Sequence, residues 1–148
     1  MSRHLLLLPA PEAEWARLPA EEHEKGMRSH EQFQRELREG GHRLVTAAPL
    51  TPSTTAVSLR PNGSGGVLAT DGPFTESVEQ VVGFFLIDTD DRTDLLRLCA
   101  EFAARGELIE FRDVVGPHDH DHDHDHGSAG AGDGADRRDT RDPEGAAP

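Results

Sequence analysis

The chain has 148 residues and a formal net charge of -13, with 28 acidic residues against 15 Lys and Arg. Its length suits one domain plus an extension, since domains cluster around roughly 100 to 150 residues. The acidic balance argues against nucleic acid as a partner, because a phosphate backbone would be repelled. The single cysteine, Cys99, forms no internal disulfide, which fits a reducing compartment, and its apolar helical setting favours a packing role.

Apolar segments are short throughout the sequence. The leucines at 5–8 are too few for a signal peptide, and no segment approaches the ~20 apolar residues of a membrane span. We therefore expect a cytoplasmic protein that has no membrane association.

The first half of the chain predicts a strand and a long helix. Residues 3–8 read as a strand, and the consecutive leucines at 5–8 imply burial of both of its faces. Residues 19–39 read as a helix, with Pro19 in the first turn and glycines after the last. Its apolar stripe, at spacings of three and four, is predicted to face the sheet and contains Met27, His30, Phe33 and Leu37.

The second half predicts a hairpin followed by a strand, a helix and a last strand. Candidate strands at 44–50 and 54–60 precede a glycine-rich turn at 61–66, and a short strand follows at 67–70. Residues 81–87 form the second strand that is apolar on both faces. Residues 92–105 predict a helix, and residues 107–115 supply the last strand.

Two helices of this kind cover only one face of such a sheet. The predicted order is β-α-β-β-β-β-α-β, which makes the fold class α+β. The other face needs a cover, and the same sheet from a second copy, about 10 Å away in a two-fold homodimer, supplies one. A monomer closed by its own hairpin is the alternative.

The sharpest motif is Asp71-Gly72-Pro73-Phe74. Pro73 fixes its own φ and keeps Gly72 out of the helical region, so the chain turns abruptly beyond Asp71. A carboxylate is thereby held at a strand end beside a rigid corner. The simpler interpretation is an Asx-type turn, in which Asp71 caps nearby backbone N–H groups.

The run at 70–76, followed by Glu79-Gln80 and by residues 83–88, resembles the signature of YciI-like, or YCII-related, proteins of the DGPF subgroup. The resemblance extends over about residues 3–115. It implies a ferredoxin-like, dimeric α+β barrel, in agreement with the argument from burial.

The same resemblance implies a candidate active site. In YciI-like proteins a helix histidine and an aspartate line a cavity, and the matching positions here are His30 and Asp71. Such a pair suits proton transfer, as in lyases or isomerases that act on a small lactone or enol, and needs no cofactor. The side chains expected to line the cavity and contact the small molecule are Phe33, Phe74 and Phe84. An inward histidine that only packs in the core is the plainer interpretation of His30.

Two other functions are compatible with the sequence. Proteins similar to this one are often encoded beside extracytoplasmic-function sigma factors, which suggests a non-catalytic binding or regulatory module. The second alternative is metal buffering by the C-terminal segment.

Residues 117–148 predict a disordered, acidic, histidine-rich tail, separate from a domain at 1–116. Histidine and aspartate alternate at its start, and imidazoles at this density chelate Zn²⁺, Ni²⁺ or Cu²⁺. The candidate metal ligands are His118, His120, His122, His124 and His126. Drift in a low-complexity segment produces the same pattern, so a biological role for the metal stays open.

Overall fold

A computed structural model of the protein describes residues 1–116, so the histidine-rich tail lies outside the described part of the chain. The strands are β1 (Ser2–Pro11), β2 (Arg43–Pro49), β3 (Val57–Pro61), β4 (Val67–Asp71), β5 (Glu79–Thr89) and β6 (Glu110–Asp113). The helices are α1 (Glu12–Arg17), α2 (Ala20–Glu39) and α3 (Arg92–Ala104), and a single 3-10 turn covers Ser53–Thr55. The predicted α+β class is confirmed.

The main sheet is antiparallel and has the strand order β2-β5-β1-β6. Its two central strands are the two that the sequence predicts as apolar on both faces. Leu6 and Leu8 of β1 are fully buried, while Leu5 and Leu7, which point to the opposite face, are half-buried. Strands β3 and β4 form a separate hairpin.

The hydrophobic core lies between one face of the main sheet and helices α2 and α3. Phe33 of α2 stacks on Phe102 of α3, with ring centroids 4.3 Å apart, and both rings meet Phe85 of β5 edge-on. The buried apolar side chains of this core are Leu6, Leu8, Phe33, Leu37, Phe85, Ile87, Leu95, Leu98, Cys99 and Phe102. The predicted packing role of Cys99 follows from its place in this cluster.

The prediction that Met27 belongs to the inward stripe of α2 is wrong. Met27 is 65% exposed, whereas Phe33 and Leu37 are buried. At about 100° per residue, Met27 lies ~120° around the helix from Phe33, which places it at the edge of the apolar stripe. Spacings of three and four therefore extended the stripe one turn too far.

Other elements also differ from the prediction. The strand expected at 54–60 covers only Val57–Pro61 and follows a 3-10 turn at Ser53–Thr55. The segment around Trp15, for which the sequence predicts no element, forms the short helix α1, and the Trp15 indole packs over Gly26. The last strand covers only Glu110–Asp113, instead of 107–115, because its pairing with β1 begins at Leu7. Two residues farther along β1, Pro9 has no N–H to donate to a longer ladder.

No helix among residues 1–116 is both long and apolar enough to cross a membrane.

Candidate functional site

Three histidines of the described residues contact a carboxylate. They are His4 in β1, His30 in α2 and His42 just before β2. The partner carboxylates belong to Asp113, Glu107 and Asp94 respectively. Since a carboxylate accepts and does not donate, the nitrogen facing it carries the proton in each neutral imidazole.

His30 projects from the middle of α2 toward the loop between α3 and β6. Its Nε2–H donates to Oε1 of Glu107 at 2.6 Å. The ring lies edge-on to Phe102, with centroids 5.1 Å apart, and 5.8 Å from Phe85. Its side chain is 34% exposed, and within residues 1–116 its Nδ1 has no hydrogen-bond partner. One nitrogen is thus anchored, and the other is free to exchange a proton with a ligand.

His4 and His42 differ from His30 because both of their nitrogens are engaged. His4 Nδ1–H donates to Asp113, and His4 Nε2 lies 2.9 Å from the Ser2 hydroxyl. His42 Nε2–H donates to Asp94, and its Nδ1 lies 2.7 Å from the Thr89 hydroxyl. Both imidazoles are buried. Neither offers a free nitrogen to a small molecule in the arrangement described.

An ion pair flanks the His30 site. Arg105, at the end of α3, donates from Nε to the Ser29 hydroxyl at 3.0 Å and from Nη2 to Glu36 at 3.2 Å. Its guanidinium carbon lies 5.4 Å from the centre of the Phe102 ring. Arg105 is therefore already balanced by the Glu36 carboxylate.

Asp71 ends β4 on the hairpin. It is exposed, and Gly72 after it has a φ of 100°, so the predicted sharp corner is present. The corner is fixed by two hydrogen bonds, from Gly72 N–H to the Ala56 carbonyl at 2.7 Å and from the Ser58 hydroxyl to the Gly72 carbonyl at 2.6 Å. The Asp71 carboxylate takes no part in a hydrogen bond in the described part of the chain. The Asx-type cap is therefore not what holds this turn.

The motif lines an open cleft of about 560 Å³. Its walls are Ser53, Thr54, Asp71, Gly72, Pro73, Glu76, Ser77, Val78 and Gln80. His30 is not among these residues, and among residues 1–116 its hydrogen bond to a carboxylate goes to Glu107. The structure thus gives His30 a carboxylate partner other than the one that the sequence suggests.

The three phenylalanines expected to contact a small molecule lie in three different surroundings. Phe33 is fully buried in the core, against Phe102. Phe74 is exposed, and the guanidinium carbon of Arg60 lies 4.8 Å from its ring centre. Phe84 is half-buried on the sheet face opposite the helices. None of the three lines the cleft of Asp71 or contacts the imidazole of His30, whose neighbouring rings are Phe85 and Phe102.

Several groups have shifted pKa values whose causes are visible. Hydrogen bonds from Arg3 and Arg43 hold the pKa of Asp88 well below its usual range. The pKa of Asp94 is lowered by His42 and Arg97, and the pKa of Asp113 is lowered by Arg92 and His4. Burial raises the pKa of the Cys99 thiol to about 12, so this cysteine is an inert packing residue.

Sequence reasoning missed Glu107, His4 and His42. Glu107 follows the helix-ending Gly106, in a stretch predicted as strand, and nothing in its spacing links it to His30. For His4 a signal was available: it shares one strand face with Leu6 and Leu8, so its imidazole had to be inward. Residues 1–116 hold no group of three or more histidine, cysteine or acidic side chains placed to bind a metal ion.

Comparison with known proteins gives the chain a family. An uncharacterized protein of Rhizobium meliloti (strain 1021) is 41% identical over 80 residues, which cover 52% of this chain and 63% of that protein. The chain thus spans a little under two thirds of the length of this relative. The family model described as the YCII-related domain matches residues 3–115, most of the chain and all of the α+β fold described above. The protein therefore belongs to the YCII-related domain family.

Proposed function

We propose that this protein is a lyase or isomerase that moves a proton on a small unsaturated carbonyl compound, such as a lactone or enol, and that His30 carries the proton. One observation supports this proposal above the others. Of the three histidines paired with carboxylates, His30 has a solvent-reached side chain and a nitrogen, Nδ1, that no group among residues 1–116 bonds. In its neutral form this Nδ1 is a base, which suits general acid and base chemistry near neutral pH.

Glu107 is the group best placed to assist. Its carboxylate receives the Nε2 proton, so it selects the tautomer in which Nδ1 is the base and stabilises the imidazolium that forms. The buried rings of Phe85 and Phe102 support the imidazole on its inner side.

Asp71 remains the second proposed carboxylate, on the strength of the family motif. It stands in an open cleft large enough for a small molecule, because small-molecule sites begin at about 300 Å³. Glu107 and Asp71 give the proposal two versions, one for each carboxylate, and experiment can separate them.

The oligomeric state that we propose for the protein is a homodimer. Leu5, Leu7, Phe84 and Leu86 form an apolar centre on the sheet face opposite both core helices, beside the Glu110–Arg112 ion pair of β6. A second sheet packed on this face would remove it from water, as in the barrel that the family resemblance implies.

The test uses muconolactone as the probe and follows deuterium uptake from D2O beside its carbonyl group by NMR. We expect catalysed exchange by the wild type and a loss of about 100-fold or more in His30→Gln. His23→Gln is the matched control, since His23 lies on the same helix but bonds only the Trp15 carbonyl. Exchange at the buffer rate with muconolactone and with other small lactones would contradict the proposal.

Two further variants separate the carboxylates. If Glu107 is the partner of His30, Glu107→Gln lowers the exchange rate and Asp71→Asn leaves it nearly unchanged. If Asp71 is the partner, the effects reverse. Circular dichroism of each variant shows whether the fold is retained.

A further inference from the structure

We propose that Ser2, His4 and Asp113 form a second, separate site, in which Ser2 is a nucleophile that accepts an acyl group from small activated esters. The three residues come from adjacent strands, since Ser2 and His4 lie on one face of β1 and Asp113 is the residue of β6 opposite His4. This site shares no residue with the proposed proton-transfer site at His30. A negative result at one site therefore leaves the other site unaffected.

The contacts follow the order that nucleophilic catalysis by serine needs. The Ser2 hydroxyl lies 2.9 Å from His4 Nε2 and, at the longer distance of 3.3 Å, near the Thr89 carbonyl oxygen. The Asp113 carboxylate lies 2.9 Å from His4 Nδ1. Asp113 thereby holds the proton on Nδ1 and leaves the lone pair of Nε2 directed at the hydroxyl. In this tautomer the imidazole is a base already in contact with its nucleophile.

The imidazole of His4, the proposed base, is held in place by its neighbours. The His4 residue is 1% exposed, and its ring lies 5.1 Å from the ring of Phe111. Asp113 is fixed by Arg92, whose Nε and Nη2 donate to its two oxygens at 3.0 and 3.3 Å. Arg92 and Asp113 are positioning residues. Ser2, by contrast, is exposed, so a small ester can reach the hydroxyl.

A second hydroxyl–imidazole–carboxylate group in the protein differs from this one in its contacts and its exposure. Thr89, His42 and Asp94 also bring together a hydroxyl, an imidazole and a carboxylate, but the hydroxyl contacts Nδ1 and the carboxylate contacts Nε2. The Thr89 hydroxyl also accepts the Asp91 N–H at 2.9 Å, and Thr89 is buried. No ester can approach it, so His42 serves as an internal comparison for His4.

The reaction has two steps, acylation of Ser2 and hydrolysis of the acyl-Ser2 ester. The Ser2 oxygen attacks the carbonyl carbon of an aryl ester while His4 Nε2 takes the hydroxyl proton. The bond from the carbonyl carbon to the aryloxy oxygen then breaks, and the phenol leaves with that proton. Water attacks acyl-Ser2, again giving a proton to Nε2, and the carboxylic acid leaves as Ser2 recovers its proton.

The experiment uses the full chain without added N-terminal residues and p-nitrophenyl acetate as the acyl donor. We expect release of about one equivalent of p-nitrophenol and an acetyl group located on Ser2 by peptide mass spectrometry. Ser2→Ala should abolish the fast phase. His4→Gln and Asp113→Asn should slow it by about 100-fold or more. Ser77→Ala and His42→Gln, outside the site, should retain it.

Asp113→Asn guards against a trivial loss of folding, because that side chain is mostly exposed. Its melting temperature should fall by only a few degrees at pH 7, since a carboxylate of lowered pKa is lost from an exposed position. The pH profile of acylation should change as well, which a purely structural role would not produce. Acetylation of Ser2 no faster than that of Ser77, or equally fast in His4→Gln and the wild type, would overturn the proposal.

Discussion

The imidazole of His42 donates to the Asp94 carboxylate at 3.0 Å and so ties the start of β2 to the first turn of α3. A similar link joins the last strand to this turn, since Asp113 accepts from both His4 and Arg92. Together with Asp88, which bonds Arg3 and Arg43, these contacts place three aspartates of lowered pKa at one end of the sheet.

The first prediction is loss of stability in acid. An aspartate whose pKa is lower in the folded protein binds fewer protons there than in the unfolded chain, so stability rises with pH through this range. The contribution is complete above about pH 5 and falls as the pH drops toward the lowered values. Urea midpoints measured from pH 7 to pH 2 should therefore decrease steadily below about pH 5.

Asp94→Asn should weaken this pH dependence. The variant should be less stable than the wild type at pH 7, and the difference should shrink in acid, where the wild-type carboxylate is itself protonated. Asp90→Asn is the control, because Asp90 is 77% exposed and its ion pair is with the N-terminal amine. Equal pH dependence in Asp94→Asn and the wild type would show that the network contributes little.

A second prediction compares two residues of the same helix. Phe33 fills the centre of the core against Phe102 and Phe85, so Phe33→Ala should lower the free energy of unfolding by about 3 to 5 kcal/mol. Met27→Ala should change it by no more than about 0.5 kcal/mol, because that side chain is mainly in solvent. Chemical denaturation of both variants is the measurement. A similar loss of unfolding free energy in both variants would show that Met27 is packed in the core, as the sequence predicts.

Patterns along the chain predicted the elements better than the site. The order of strands and helices follows from periodicities of two and 3.6 residues, which are local properties of the sequence. Continuous apolar runs predict the two central strands. The partner of His30 is 77 residues away in sequence, and it lies just after a glycine with a φ of 112° that turns the chain back. No local pattern encodes such a pairing, because it depends on how α2 and α3 pack together.

The third prediction concerns the tail, from its sequence alone. Its five alternating histidines should bind Zn²⁺ at neutral pH and release it below about pH 6, since a free imidazole titrates near 6.5 and cannot ligate when protonated. Calorimetric titration with ZnCl2 at pH 7.5 and at pH 5.5 measures this. A chain that ends at Gly116 is the control. Zinc binding that survives replacement of all five histidines by alanine would contradict the prediction.

The last prediction is the oligomeric state. A chain that ends at Gly116 should sediment as a dimer at micromolar concentration, because the proposed contact uses the sheet and not the tail. The open face of the sheet is central to this expectation. Leu7 of β1 lies opposite Phe84 of β5 in the ladder, and the two side chains share that face.

A charge at this position should separate the copies. Leu7→Glu would place a carboxylate between two apolar sheets, where it has no partner, and burying an unpaired charge is strongly unfavourable. We expect the variant to sediment as a folded monomer. Leu96→Glu, which makes the same change at an exposed position of α3, should remain a dimer. If the truncated wild-type chain is itself a monomer, the open face must be covered in another way, and the β3–β4 hairpin, with Val57, Leu59 and Val67 exposed, is the element available to cover it.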